Sequence, residues 1–187
     1  ASTVTTEEPA DNYAYYKNGA LYLNNFVDKD AEIEFFEGYL DIFVNGDSTI
    51  ASIRDSFETD GEVHHVSIAT DGELEIIGSN SNVSSPCGVN LSGELLILWG
   101  TVNVYDDYLY CLDVDTLYVY GGEFYCYSSQ AGVFASETSV IVYEGVFHAF
   151  DGGGWGEFIN EDAVIRVGMV YVSSDGKNNI ETATLWD

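Results

Sequence analysis

A pattern of alternating apolar residues that ends in glycine recurs along the second half of the chain. Its four copies read LLILWG, LYVYGG, VIVYEG and AVIRVG, and they end at Gly100, Gly122, Gly145 and Gly168. Successive glycines are 22, 23 and 23 residues apart, and Gly78 comes 22 residues before the first. A near-constant period of this length is typical of a solenoid, because one unit is too small to bury a core and must stack on its neighbours.

Two more alternating runs accompany the glycine in most units. In the run after the glycine, the residues predicted to point inward are Val102, Val104, Phe124, Cys126, Phe147, Ala149, Val170 and Val172. In the shorter third run they are Val89, Leu112, Val133 and Phe158. Three short strands per unit predict an all-β fold, a right-handed, single-stranded parallel β-helix of about seven coils with roughly 22–23 residues per coil.

Two other all-repeat or all-β folds fit the sequence less well. A leucine-rich repeat would need an asparagine or cysteine ladder and a helical half, and neither pattern occurs. A β-sandwich also has many short strands, but it does not require glycine at a constant period. The β-helix is predicted to occupy residues 19–175, with a linker or cap at 1–18 and a C-terminal cap at 176–187.

The charge balance limits the partners of the protein. The chain has 32 acidic and 5 basic residues, which gives a formal net charge of −27. Phosphate binding depends on Lys and Arg, so nucleic acid is not an expected partner. Anionic membrane surfaces and membrane insertion are not expected either. The acidity indicates high solubility or a salty habitat, or alternatively a set of cation sites.

Single residues that carry chemistry give few signals. Three cysteines, Cys87, Cys111 and Cys126, cannot complete a disulfide framework and are predicted to be buried thiols. His64 and His65 are adjacent on a predicted strand, so we expect them to point to opposite faces, the inward one as a core residue.

The outward residues of the first strand are largely apolar. By alternation they form two columns, Leu96, Tyr118, Ile141, Val164 and Leu98, Tyr120, Tyr143, Arg166. Such a face is expected to be covered by the N-terminal segment or to form a homo-oligomer interface. The interface residues would be Leu96, Leu98, Tyr118, Tyr120, Ile141 and Tyr143.

The outward residues of the second strand are aromatic and polar. The predicted columns are Asn103, Tyr125, His148, Tyr171 and Tyr105, Tyr127, Phe150, Ser173. A pyranose ring stacks its C–H groups on an aromatic face, while hydroxyl and amide groups bond its hydroxyls. The predicted ligand-binding residues are therefore Asn103, Tyr105, Tyr125, Tyr127, His148, Phe150 and Tyr171. The alternative is that these columns only stabilise the solenoid by stacking like on like.

The sequence offers little for catalysis. A polyuronide lyase would need Arg or Lys to abstract a proton, but the basic residues are scattered as Lys17, Lys29, Arg54, Arg166 and Lys177. A polygalacturonase-type hydrolase would need a carboxylate trio, Gly-His-Gly and Arg-x-Lys, of which only the fragment Asp106-Asp107 is present. No catalytic residue is predicted.

The glycine-centred units, with the stretches LDIFVNGDSTIASI and GELEIIGSNSN, resemble the carbohydrate-binding parallel β-helix domains of secreted clostridial proteins, non-catalytic relatives of the pectate-lyase-like superfamily. The resemblance covers about residues 40–175. It implies a secreted or cell-surface location, polysaccharide binding, and calcium held by turn carboxylates. No calcium motif of that family can be placed residue by residue, and the turn acids to consider are Asp106, Asp107, Asp151, Glu161 and Asp162.

The expected function is a non-catalytic extracellular module that binds a plant or microbial polysaccharide with calcium assistance. One alternative is a structural or adhesive surface protein that associates with itself. A second is a polysaccharide-degrading enzyme of the pectate-lyase-like class.

Overall fold

A computed structural model describes residues 12–36, 38–55, 63–78, 87–106, 110–129, 132–135, 138–151, 164–165 and 169–174. Throughout these ranges the only regular elements are β-strands. The strands are β1 Tyr13–Lys17, β2 Ala20–Asn24, β3 Glu32–Phe35, β4 Tyr39–Asn45, β5 Ser48–Ile50, β6 Ser52–Asp55, β7 His64–Ile76, β8 Cys87–Asn90, β9 Gly93–Asp106, β10 Tyr110–Asp113, β11 Thr116–Val119, β12 Glu123–Ser128, β13 Gly132–Phe134, β14 Ser139–Val142, β15 Val146–Asp151, β16 Val164–Ile165 and β17 Met169–Ser174.

The strands stack in three parallel series, which confirms the predicted all-β solenoid. The first series runs β2, β4, β7, β9, β11, β14, β16, and the second runs through β5, the second halves of β7 and β9, then β12, β15 and β17. The third series is a separate five-stranded sheet of β3, β6, β8, β10 and β13.

The prediction of about seven coils is wrong, because the solenoid makes about five turns. The early coils use more residues than the glycine period suggests. Asp41 and Ser67, paired on neighbouring strands, are 26 residues apart, and His65 and Glu94 are 29 apart. Only the later coils keep the regular period. A chain that spends extra residues on its first coils completes fewer of them.

The core is the stack of inward residues from all three series. Val102, Phe124 and Phe147 occupy one column, and the two phenylalanine rings stack with centroids 5.8 Å apart. The third run differs from prediction by one residue, since Leu112 pairs with Phe134 and not with Val133. Both are buried, because the short β13 packs side chains on both of its surfaces. Phe158 lies outside the described residues.

Glycines form a corner column between the first and second strands. Gly100, Gly122 and Gly145 all have positive φ, at 87°, 78° and 119°. A Cβ on Gly145 would lie 2.5 Å from the carbonyl oxygen of Gly122, so the stacked backbones leave no room for a side chain. The predicted column is therefore confirmed at these three positions, and Gly168 lies outside the described residues.

Gly78 does not belong to that column, which corrects the prediction from its spacing. It lies at the next corner, where an added Cβ would be 2.5 Å from the carbonyl oxygen of Tyr105. Gly72 takes the corner position instead, packed against the backbone of Gly46. The longer coil through residues 79–86 makes the 22-residue spacing of Gly78 a coincidence.

The first end of the stack is closed by a hairpin. β1 pairs antiparallel with β2 through a two-residue Asn18-Gly19 turn, whose φ angles are 54° and 84°. Two consecutive positive φ values match the type I′ turn that Asn-Gly favours. β1 thus extends the first series beyond β2, at the end away from Leu96 and Tyr118. It does not cover their apolar face.

The isolated chemical groups of the core are satisfied. Cys87, Cys111 and Cys126 are free and buried, as predicted, and burial raises the pKa of the Cys126 thiol. His64 points inward and His65 outward. The His64 ring lies 3.0 Å from a carboxylate oxygen of Asp55, within the core. Among the described residues no helix is long and apolar enough to span a membrane.

Candidate functional site

The second-strand face carries the aromatic array that the sequence predicts. Register pairs Asn103 with Tyr125 and Tyr125 with His148 in one column. It pairs Tyr105 with Tyr127 and Tyr127 with Phe150 in the other. Tyr171 and Ser173 continue these columns in β17 by backbone register. The array spans the outward surface of β9, β12, β15 and β17, which we call the second-strand face.

Most rings of this face stack on one another. The Tyr125 and His148 rings have centroids 4.3 Å apart and planes within 7° of parallel. Tyr127 and Phe150 are 4.7 Å apart and within 4°. Stacking at this distance occupies the ring faces inside each pair, and the edges point outward. Tyr105 is different, because it is tilted 52° from Tyr127 and is 37% exposed.

Acidic and amide groups occupy the side of the array nearest the first coils. The Asn103 amide donates a hydrogen bond to Glu73. The Tyr125 hydroxyl donates to Glu123 at 2.5 Å. Glu75 follows Glu73 on the same outward surface and accepts a hydrogen bond from the Thr49 hydroxyl. Hydrogen-bonding groups thus lie directly beside the exposed ring edges.

The aromatic hydroxyls and the imidazole favour their neutral forms. Burial, followed by the negative charges of Glu73 and Glu75, raises the pKa of Tyr105. Its hydrogen bond to Glu123 is the main reason why the pKa of Tyr125 is raised. Burial lowers the pKa of His148, against the opposing effect of the Glu123 carboxylate. The face therefore offers neutral hydrogen-bonding groups at neutral pH.

The first-strand face carries a second aromatic group. Leu96, Tyr118 and Ile141 share one column, as predicted. The rings of Tyr120 and Tyr143 stack with centroids 4.8 Å apart, and Tyr118 stacks on Tyr120 at 5.9 Å. Val164 extends the first column by register, whereas Arg166 lies outside the described residues.

A groove that the sequence analysis missed lies farther along the same face, toward the hairpin. It has a volume of about 300 Å³ and is lined by Tyr13, Tyr15, Tyr22, Leu23, Asn24, Phe43, Val44, Asn45, Ala69, Asp71 and Trp99. Tyr15, Tyr22 and Phe43 form a stacked series, with centroids 4.7 Å and 5.3 Å apart. Trp99 is 48% exposed at the other wall. The run of Tyr and Phe at every second position was a signal for this surface.

The proposed calcium ligands are only partly described. Asp106 and Asp151 pair with Ser128 from opposite sides, which puts both at the same level of the stack. Asp106 is fully buried and lies against Gly78. Asp107, Glu161 and Asp162 lie outside the described residues. Within the described ranges, no three His, Cys, Asp or Glu side chains lie close enough together to hold a metal ion.

Fold and surface define a class, an all-β solenoid with outward aromatic arrays. The chain has no match to a protein-family model, to a curated protein or to a solved structure. The functional argument therefore depends on the geometry of these surfaces.

Proposed function

We propose that this protein is a non-catalytic module that binds a polysaccharide on its second-strand face. The observation that carries the proposal is the combination, on one outward surface, of exposed tyrosine edges with amide and carboxylate groups. Tyr127 and Tyr105 are 39% and 37% exposed although they are large and partly apolar. Glycan recognition uses this combination of apolar contact and directed hydrogen bonds.

The packing of the rings defines how a glycan would lie there. Interior ring faces are occupied, so the polymer would contact ring edges and hydroxyls along the coils, and one sugar could stack on the tilted Tyr105. Two coil spacings span about 10 Å, close to the repeat of an extended disaccharide. Successive sugars would then meet equivalent groups on alternate coils.

Charge selects the class of polysaccharide. A protein with a formal charge of −27 repels bare polyuronides, so we expect a neutral glucan, or a uronate polymer bridged by a divalent cation. The proposal is non-catalytic because Arg54, one of the five basic residues, is engaged by Glu32 at 3.3 Å and Glu34 at 3.4 Å. Nothing comparable to a lyase base lies beside the aromatic array in the described residues.

The test is retardation of the protein in gels that contain neutral or acidic polysaccharides. The double variant Tyr125→Ala/Tyr127→Ala should migrate without retardation and keep its fold. The matched control is Tyr118→Ala/Tyr120→Ala, which removes two tyrosines at the same spacing from the neighbouring face. Equal retardation of the wild type and the Tyr125/Tyr127 variant would exclude this face as the site.

A second candidate function is self-association through the first-strand face, as in a structural or adhesive surface protein. The specific observation in its favour is the stack of Tyr118, Tyr120 and Tyr143 beside Leu96 and Ile141. Sedimentation would detect it as an assembly that Tyr118→Ala/Tyr120→Ala dissolves. The two double variants therefore separate the two functions.

Three finer points are part of the proposal. The solenoid is right-handed, the protein acts outside the cell, and calcium contributes through turn acids such as Asp106 and Asp151. Calcium that binds only the folded state raises the melting temperature, and a chelator lowers it. A melting temperature indifferent to both would leave general acidity as the role of these carboxylates.

A further inference from the structure

One outward column of the first-strand series is an aromatic stack with a gap in it. Its members, in register from strand to strand, are Tyr15, Tyr22, Phe43, Ala69 and Trp99. Four of these positions carry an aromatic ring and one carries a methyl group. Phe43 and Trp99 are the walls of the groove, and Ala69 forms its floor, with only 3% of its surface exposed.

A β-bulge turns Trp99 into this column. Ile97 pairs with Ile68 and Trp99 with Ala69, so Leu98 is an extra residue in β9. Simple alternation from the inward Ile97 would point Trp99 inward as well, but an extra residue reverses the direction of the side chains after it. Trp99 is accordingly on the surface. The chain spends an irregularity on the placement of a large exposed ring across from Phe43.

We propose that the gap between Phe43 and Trp99 is a binding site for one neutral pyranose ring, held between the two aromatic side chains. This site is separate from the second-strand face, and it rests on the proposed function only for the class of its ligand. Its residues are Phe43, Ala69 and Trp99, with polar groups from Asn45 and Asp71.

The width of the gap favours a puckered sugar over a flat ring. Phe43 and Trp99 are two strands apart, about 9.6 Å at the usual strand spacing. A flat aromatic ligand needs two contacts of about 3.5–4.0 Å, or roughly 7–8 Å in total. It would leave about 2 Å unfilled. A chair-shaped pyranose ring with axial hydrogens on both sides is thicker and takes up that space.

Polar side chains lie in the adjacent column, two residues farther along each strand. Asn24, Asn45 and Asp71 follow Tyr22, Phe43 and Ala69 at this spacing, and all three line the groove. Amides donate and accept, and a carboxylate accepts, so the ring hydroxyls of a sugar would find partners at the edge of the gap. A second carboxylic acid would be repelled by Asp71 and by the overall charge. The site therefore selects an uncharged sugar.

The experiment uses Trp99 fluorescence with the full chain. Changing Trp155 and Trp186 to Phe leaves Trp99 as the only one of the three tryptophans. The probes are the methyl glycosides of glucose, galactose and mannose, with nicotinamide as a flat neutral ring. We expect saturable binding of at least one glycoside with a Kd on the order of 1 mM, as befits so small a ligand. Tighter binding of nicotinamide than of every glycoside would overturn the sugar assignment.

Two variants decide the location of the site. Ala69→Phe should complete the aromatic stack, abolish glycoside binding and leave the melting temperature equal or higher. Trp99→Ala, followed by ligand-observed NMR, should weaken binding by about tenfold and does not depend on the tolerance of position 69. Unchanged binding in both variants, or the absence of glycoside binding at tens of millimolar, overturns the inference. Neither result affects retardation through Tyr125 and Tyr127, so the two proposals fail independently.

Discussion

Tyr127 and Phe150 lie face to face on neighbouring coils, with ring centroids 4.7 Å apart and planes within 4° of parallel. We expect this contact to contribute about 0.5–1.5 kcal/mol of coupling. A double-mutant cycle with Tyr127→Ala, Phe150→Ala and the double variant, followed by urea unfolding, measures it. Tyr105 and Phe150 are two coils apart, so the same cycle on that pair should be additive. Equal coupling in both cycles would contradict a stabilising stack.

Phe124→Ala should lower the free energy of unfolding by about 3–5 kcal/mol. The Phe124 side chain is completely buried and stacks on Phe147, and the strands above and below it hold the cavity open. The control is Tyr125→Ala, one residue along the same strand on the outward surface, which should cost clearly less. Similar losses for both substitutions in chemical denaturation would show that the inward and outward assignments are wrong.

Gly100→Ala should destabilise the protein more than Gly19→Ala. Both glycines have positive φ, at 87° and 84°, so both substitutions introduce backbone strain of about 1–2 kcal/mol. A Cβ at Gly19 meets nothing within 4 Å, whereas one at Gly100 collides with the backbone of Thr70. The difference between the two unfolding free energies isolates the close approach of the stacked corners. A difference near zero would mean that the corners can separate freely.

His148 should make the folded state more sensitive to mild acid. Burial lowers its pKa below the ordinary value of 6.5, so the unfolded chain takes up a proton first as the pH falls. The associated stability is fully present above pH 6.5 and is lost as the pH falls through the folded pKa. His148→Phe keeps a ring against Tyr125 and removes the titration. The wild type should therefore lose stability more steeply than this variant below pH 6.5 in unfolding curves, and parallel curves would refute the assignment.

The sequence predicted the parts of the fold that obey one local period. Alternation about Gly100, Gly122 and Gly145 placed Phe124 inward and Tyr125 outward, because side chains of a strand change sides at every residue. The same period was misleading where loop length varies. Gly78 has the expected spacing but lies at another corner, and the count of coils was too high for the same reason.

The groove could not have been predicted in the same way. Ala69 and Trp99 are neighbours only because a long coil and the bulge at Leu98 bring them into register, and neither feature has a local sequence signal. The hairpin was within reach, since Asn18-Gly19 between alternating runs is a strong turn signal. It was assigned to a linker because the residues before it are polar.

The Asn18-Gly19 hairpin also bears on how the chain folds. It brings β1 and β2 together by closing a loop of two residues, whereas Leu96 and Tyr118, typical partners on parallel strands, are separated by a full coil. Closure entropy grows by about 0.6 kcal/mol for each doubling of loop length, or about 2 kcal/mol between these two cases. Among the described pairings the hairpin is therefore the least costly nucleus. Each later coil can add to a finished edge, so folding would propagate from the amino-terminal end in the order in which a ribosome delivers the chain.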